Sequence, residues 1–395
     1  MRLFLFLTIL PSVLTLKNNE YTCDMKSLFL ITAALITGLN LQSQEYFLFT
    51  GTYTQGNSKG IYINKFNSNT GVITPVSIAA GIENPSYIAI TANGKYLYAV
   101  NENGGEKPGA VSSFSFDRKT GELNFINKQE TSGDHPCYVT IDKNNKWLFT
   151  ANYTGGSLSA FPIKADGSIG KLAQLIQHTG KSIDPRQEKP HVHSTVFTPD
   201  QQNLLVSDLG LDKVFIYKFN PASTQPLTAA TDSTFAVKAG NGPRHLSFHP
   251  SKPYLYIIEE LSGTVSAWQY KGTSFKHIQA ISSHPAGYPG SKGSADIHTS
   301  PDGKFLYASN RGDANSIAIF AIDARSGKLT LKGIEPSGGK HPRNFTIDPS
   351  GRFLLVANRD SSNVVVFSIN RQTGLLTPVG KPFPVPDPVF LGLLK

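Results

Sequence analysis

Cysteine is nearly absent: Cys23 and Cys137 are the two in 395 residues, so no disulfide framework holds this chain and stability must come from its core. Charge is thin as well, at 16% of residues against roughly 25% in an ordinary globular protein. The formal net charge of +9 has no run of basic residues behind it, which argues against nucleic acid as a partner. A cationic balance favours anionic ligands instead. Helical periodicity is missing from the folded part, and no apolar run reaches the roughly 20 residues of a standard membrane span. The apolar stretch Leu28 to Leu39, preceded by Met25-Lys26 and followed by Asn40-Leu41-Gln42-Ser43-Gln44, reads as a secretory signal cut near Ser43. Residues 1–24 carry a second signal-like run broken by Pro11, which makes Met25 a candidate start. The expectation is a targeting segment over 1–43 and one folded domain over 45–395. The mature protein is then exported, periplasmic or extracellular, monomeric and free of stable membrane insertion. It is cytoplasmic if the segment is not a signal.

What the chain has is a repeat. A short apolar strand, a Pro-Asp-Gly-type turn, an aromatic-Leu-Tyr strand and a terminal Asn or acid recur. The clearest copies are Ile90 to Asn101, Ser300 to Asn310 and Asp348 to Asn358, with weaker ones ending at Asn152, Asp208 and Glu259. From Asn101 to Asn358 there are five steps over 257 residues, about 51 each. A period of that size built from strand signals alone indicates an array of like units. Each copy continues with alternating residues such as Asn315 to Ile322, then a turn such as Thr-Gly-Glu-Leu at 120–123 or Ser-Gly-Lys-Leu at 326–329. Four antiparallel strands per unit predict an all-β propeller. The first unit lacks its opening strand, and Pro388 to Leu394 resembles that strand as it occurs at Pro85 to Ile90. A first blade completed by the C-terminal strand removes the open edges and brings the count to seven.

The repeat also separates scaffold from site. The units align on Ala92, Lys143, Pro199, Pro250, Pro301 and Pro349. Nine positions later stand Asn, Asn, Asp, Glu, Asn and Asn, a recurring strand-end hydrogen bonder. His135, His191 and His341 also share one position and read as scaffold. Six positions before the aligned residue the types change: Ser86, Cys137, His193, Arg244, Ala295, Arg343. Ten positions after it they change again: Glu102, Tyr153, Leu209, Glu260, Arg311, Arg359. The start of one strand and the end of its antiparallel neighbour meet at one rim, so both sets face one mouth of the central channel. Blades four to seven thus bring His193, Arg244, Glu260, Arg311, Arg343 and Arg359 together, with His245, Asp296 and His298 nearby. Arginines around one carboxylate and one histidine suit an anionic substrate and acid/base work. Arg359 has Asp360 as an alternative partner, and His298, inside a strand, has blade packing as an alternative role. No spacing of His, Cys, Asp or Glu matches a known metal-ligand set, so neither metal nor cofactor is expected.

Gly242-Pro243-Arg244-His245, followed by Glu259-Glu260-Leu261 and Val265-Ser266-Ala267-Trp268, resembles the lactonase family of seven-bladed propellers, as do Ala295-Asp296-Ile297-His298 and Pro342-Arg343-Asn344-Phe345. That family includes bacterial 6-phosphogluconolactonases and, more distantly, carboxy-muconate lactonizing enzymes. The resemblance implies metal-independent hydrolysis of a sugar lactone, with 6-phospho-D-glucono-1,5-lactone the leading substrate. It implies catalytic roles for His193, Arg244 and Glu260, with either His193 or Glu260 as base. Substrate binding falls to His245, Asp296, His298, Arg311 and Arg343. The alternatives are an exported propeller that binds a ligand without catalysis and a muconate-type lactonizing enzyme.

Overall fold

The computed structural model describes residues 45–395; the expected leader over 1–43 lies outside the described residues. Seven four-stranded antiparallel sheets form the blades of a propeller, and the first is ordered so that the C-terminal strand Pro388–Leu394 is innermost, beside Glu45–Thr52. Leu394 stands opposite Phe47 and Leu391 opposite Thr50. The closure expected from the missing opening strand is therefore the observed one. Among the described residues no helix is long and apolar enough to cross a membrane.

Blades pack face to face, which decides how each strand reads. The second strands, such as Tyr254–Glu259, Phe305–Asn310 and Phe353–Asn358, are buried at every residue, because a neighbouring sheet covers each face. The third strands follow suit. Six of the seven residues of Ser316–Ile322 are buried, so the alternation in its sequence does not become an exposed face. Alternation survives at the rim, as in Glu122–Glu130, where one side meets water. Between the first and second blades Phe116 meets Phe47 and Phe49 edge-on, with centroids 4.8 and 5.0 Å apart. Each such ring contributes about 1.5–3 kcal/mol by leaving water. A polar latch repeats as well: Tyr98, Tyr256 and Tyr307 donate their hydroxyls to the carbonyls of Gly167, Gly327 and Gly374 in the next blade, at 3.1, 3.1 and 2.9 Å. Gly327 sits at φ +70, where a Cβ would be strained and would lie 2.6 Å from the Tyr254 ring.

The scaffold reading of the strand ends holds. Asn101, Asn310 and Asn358 each donate from Nδ2 to a carbonyl at the end of the preceding outer strand (Glu83, Ser283 and Ser337), at 2.8, 2.9 and 2.9 Å. At the position the histidines share, the carbonyls of His135, His191 and His341 accept from the N–H groups of Tyr153, Leu209 and Arg359 at 2.9, 2.9 and 3.1 Å.

One local feature turns this scaffold into a site. In six innermost strands the ladder skips near its start, Val389 of the C-terminal strand included. Pro136 and Tyr138 are paired but Cys137 is not, and His193, Arg244 and Arg343 are bypassed in the same way. In the sixth blade Ala295 and Asp296 are both passed over. A bulged residue leaves the pleat and re-aims its side chain. Bulges in six of the seven blades thus present variable residues at the channel mouth.

Candidate active site at the channel mouth

Glu260 is the hub. It follows the strand Tyr254–Glu259 and is anchored through its N–H to the Gly242 carbonyl at 2.7 Å. Its Oε2 accepts from Arg244 Nε and pairs with Arg311 Nη2, both at 2.9 Å, while Oε1 accepts from Arg186 Nη2 at 2.7 Å. Burial opposes ionisation here, but Arg311, Arg244 and Arg186 overcome it and hold the carboxyl well below its ordinary range. Arg244, fully buried, also donates from Nη1 to the Ala295 carbonyl at 2.5 Å and to His245 Nε2 at 3.2 Å. Arg311 spends donors on the Gly293 and Ser294 carbonyls at 2.8 and 3.2 Å.

A second chain of contacts fixes His245. Asp296, 1% exposed, accepts from His245 Nδ1 at 2.7 Å, His298 Nε2 at 3.0 Å, Asn344 Nδ2 at 2.5 Å and the Phe345 N–H at 3.2 Å. The proton on His245 Nδ1 leaves Nε2 as the acceptor that receives Arg244. Burial and Arg244 push the His245 imidazole down to about 4, so it is neutral at pH 7. His193, bulged from the fourth blade, lies edge-on to His245 and Tyr153 with centroids 5.3 and 5.4 Å away. Its Nδ1 is 3.7 Å from the buried Cys137 thiol. Burial, Arg244 and His245 hold it well below the ordinary histidine value, so it too is a neutral imidazole.

Arg343 is the least engaged of the guanidinium groups. Among the described residues it pairs with Glu102 at 3.6 Å and lies over the Tyr53 ring, 5.3 Å from the centroid. Glu102 in turn accepts from the Tyr53 hydroxyl at 2.9 Å and from Ser86. Below the mouth, Tyr87 and Tyr138 stack at 4.0 Å and Tyr87 meets Phe390 at 4.6 Å. The space left among Tyr87, Cys137, Arg244, His245 and Arg343 is a cavity of about 10 Å³, no more than one water needs. The mouth is therefore a cup with a closed floor. Larger cavities of about 790 and 670 Å³ lie at the outer blade edges and contain none of these arginines. Among the described residues no group of three or more His, Cys, Asp or Glu side chains is placed to hold a metal ion.

His193, Arg244, His245, Glu260, Asp296, Arg311 and Arg343 converge as the repeat alignment expects. His298 reaches the site only through Asp296. Arg359 turns to Asp360 at 2.6 Å and does not join. Tyr53 and Arg186 fall outside the aligned positions, and Glu102 and Tyr153 were aligned but left out by the weight given to blades four to seven. Glu102 and Tyr153 occupy the same aligned position as Glu260 and were readable there. Arg186 has no counterpart, because it lies in a connector, and its signal is spacing: Asn152 to Asp208 is 56 residues, five more than the step before it or after it. Four arginines against Glu102, Glu260 and Asp296 leave the cup a formal excess of one positive charge.

Glu259, beside the hub in sequence, faces an outer groove instead. Burial pushes its carboxyl up to about 7, despite hydrogen bonds from Ser266 and Asn241. A raised acid pKa gives stability that is complete below the unfolded value of about 4.3 and lost as pH rises through 7. Glu259→Gln removes this loss, so the variant gains on the wild type by about 3 kcal/mol between pH 4.5 and 8. Histidine titrations are common to both proteins and cancel in the difference. Urea denaturation at the two pH values checks this; a difference that stays constant contradicts it.

The family model described as lactonase, 7-bladed beta-propeller, matches residues 47–392. The chain belongs to this lactonase family. Among its relatives, the Bacillus subtilis 6-phosphogluconolactonase is 37% identical over 352 residues, 89% of this chain and 99% of that protein. The Formosa agariphila 6-phosphogluconolactonase is 41% identical over 332 residues, covering 83% of this chain and 94% of that protein. The solved structure of a periplasmic gluconolactonase from Pseudomonas aeruginosa superimposes with a TM-score of 0.86 at 37% identity, covering 89% of this chain and 99% of that one.

Proposed function

We propose that this lactonase-family chain hydrolyses a sugar lactone bearing an anionic group, with 6-phospho-D-glucono-1,5-lactone the leading candidate. The observation that carries the reading is Arg343: a largely buried guanidinium with five donors and one loose ion pair, beside a cup of net positive charge. Such a group is built for a phosphate or carboxylate supplied from outside. The names of two relatives, both 6-phosphogluconolactonases, agree with a phosphorylated lactone, and that of the third, a gluconolactonase, agrees with a sugar lactone.

In the proposed reaction a water oxygen bonds to the lactone carbonyl carbon and the bond from that carbon to the ring oxygen breaks. The proton removed from water reaches the ring oxygen, which leaves as a hydroxyl. His193, neutral and in the field of the Glu260 carboxylate, takes that proton as general base, and the carboxylate stabilises the imidazolium as it forms. Glu260 itself is held ionised by Arg311, Arg244 and Arg186 and serves here as the fixed negative charge. Arg244 has Nε and Nη1 committed and offers Nη2 to the carbonyl oxygen as charge develops. Arg343 binds the substrate anion, with Arg311 steadying Glu260 opposite.

Lactone opening releases acid, so a pH-stat follows it directly. The purified protein is expected to open 6-phosphoglucono-1,5-lactone far above the spontaneous rate, and Arg343→Ala to raise KM more than it lowers kcat. Opening at the spontaneous rate, with 6-phosphogluconate still bound, would instead mark a ligand-binding propeller. We further propose export, on the signal-like segment over 25–43 and the periplasmic relative. N-terminal sequencing of the mature protein checks it: an intact residue 1 or 25 contradicts export.

A further inference from the structure

We propose that Arg186 exchanges partners when substrate binds, leaving Glu260 Oε1 to pair with the anionic group of the lactone; the proposal rests on the lactonase reading above. The four arginine side chains differ sharply in freedom. Arg244, Arg311 and Arg343 are 1%, 10% and 13% exposed, whereas Arg186 is 51% exposed. Only Arg186 can swing to an incoming anion without abandoning a buried position. Its backbone, by contrast, is fixed. The connector forms a short turn at Pro185–Gln187, where the Asp184 side chain accepts from the Arg186 N–H at 2.9 Å. The buried Gln187 side chain ties this turn to the Leu209 carbonyl at 2.7 Å. The base of the side chain is thereby anchored while its guanidinium reaches over the cup to Glu260 and to the Tyr153 hydroxyl at 3.3 Å.

The division of Glu260 between its partners gives the exchange a chemical consequence. Arg244 and Arg311 hold Oε2, while Arg186 donates to Oε1. When Arg186 leaves, Glu260 stays positioned and ionised by the two buried arginines, and Oε1 becomes an open acceptor facing the cup. It can then receive a hydrogen bond from the attacking water or a sugar hydroxyl. An anionic lactone opens this acceptor by taking Arg186; a neutral lactone leaves it occupied. Arg186 is on this account a specificity residue that selects charged lactones in turnover as well as in binding.

Arg186→Ala and Arg186→Lys, assayed on 6-phosphoglucono-1,5-lactone and on glucono-1,5-lactone, test the proposal. A charge-assisted pair of this kind is worth about 1.5–3 kcal/mol, so Arg186→Ala is expected to lower kcat/KM for the phosphorylated lactone about 10- to 100-fold. For the neutral lactone no loss is expected and kcat should rise, because the substitution leaves Oε1 open, and lysine, which keeps charge without the fork, should recover part of the loss on the phosphorylated lactone. Equal losses on both lactones, or no loss on either, overturn it. Calorimetric binding of 6-phosphogluconate and gluconate separates this proposal from the hydrolase reading. Wild type that opens no lactone, yet binds 6-phosphogluconate through Arg186, overturns hydrolysis and keeps the arginine. An Arg186→Ala variant that binds 6-phosphogluconate as wild type does overturns the arginine whatever the catalysis.

Discussion

Glu260→Gln is expected to lower kcat for lactone opening by about a thousandfold, in the range seen when a preorganised charge is removed from an active site, while KM for a phosphorylated lactone does not rise. Glutamine keeps the shape of the side chain but removes the charge on which three arginines converge. Arg186 can turn to solvent. Arg244 and Arg311 cannot, and a buried cation without its counterion costs about 3–5 kcal/mol. The guanidinium that activates the carbonyl therefore loses its fixed orientation, and the imidazolium forming on His193 loses its stabilising charge. Affinity for an anion moves the other way, because the cup becomes more positive by one unit. That split distinguishes loss of chemistry from loss of the fold. Steady-state kinetics on protein whose unfolding transition has been checked to lie above the assay temperature reads it. A parallel rise of KM with unchanged kcat contradicts the role given to Glu260.

Asp296→Asn is the second large effect, and it works at one remove. Asp296 accepts from His245, His298, Asn344 and the N–H groups of Ile297 and Phe345. Five donors are aimed at two oxygens, so an amide must point N–H groups at N–H groups whichever way it turns. With nitrogen toward His245, the imidazole is pushed into the tautomer whose Nε2 carries the proton, and that proton then faces Arg244 Nη1. With nitrogen toward Asn344, the contact between the sixth and seventh blades is broken instead. Either way buried donors go unpaired, at about 1–3 kcal/mol for each. Expected are a fall in stability of about 3 kcal/mol and a fall in kcat of about a hundredfold through the misplaced Arg244, with KM little changed. Asp296 is a positioning residue, and the kcat-against-KM split at a temperature where the variant is folded separates that from a general weakening. Full activity in a folded Asp296→Asn protein contradicts the Asp296–His245–Arg244 linkage.

Legibility in the sequence follows from what repeats. The blades were readable because stacked sheets need the same turn, the same strand-end asparagine and the same apolar runs every fifty or so residues. Closure by Pro388–Leu394 was readable because one unit lacked what the last residues supplied. His193, Arg244 and Arg343 could be singled out as residues that vary where the scaffold does not. The reason they reach the mouth, the bulge that drops each from its ladder, left no mark in composition or periodicity. Partner choice was also hidden. Arg359 and Arg311 occupy equivalent positions, yet Asp360 captures the first and Glu260 the second. Arg186 escaped because it sits in the connector that lengthens the repeat, so comparing the copies could not weigh it. Alternation in Asn315 to Ile322 marked a strand, and both its faces are buried because a blade is covered on both sides.

The central claim is that one cup, ringed by Arg186, Arg244, Arg311 and Arg343 and centred on Glu260, receives the lactone. A crystal structure of the protein with 6-phosphogluconate tests it most directly. The account predicts the phosphate within hydrogen-bond distance of Arg343 and Arg186, and the product carboxylate, at the carbon that was the lactone carbonyl, beside Arg244 and His193. Product seated in one of the outer blade grooves, with the four arginines and two glutamates paired as they are in its absence, would contradict it.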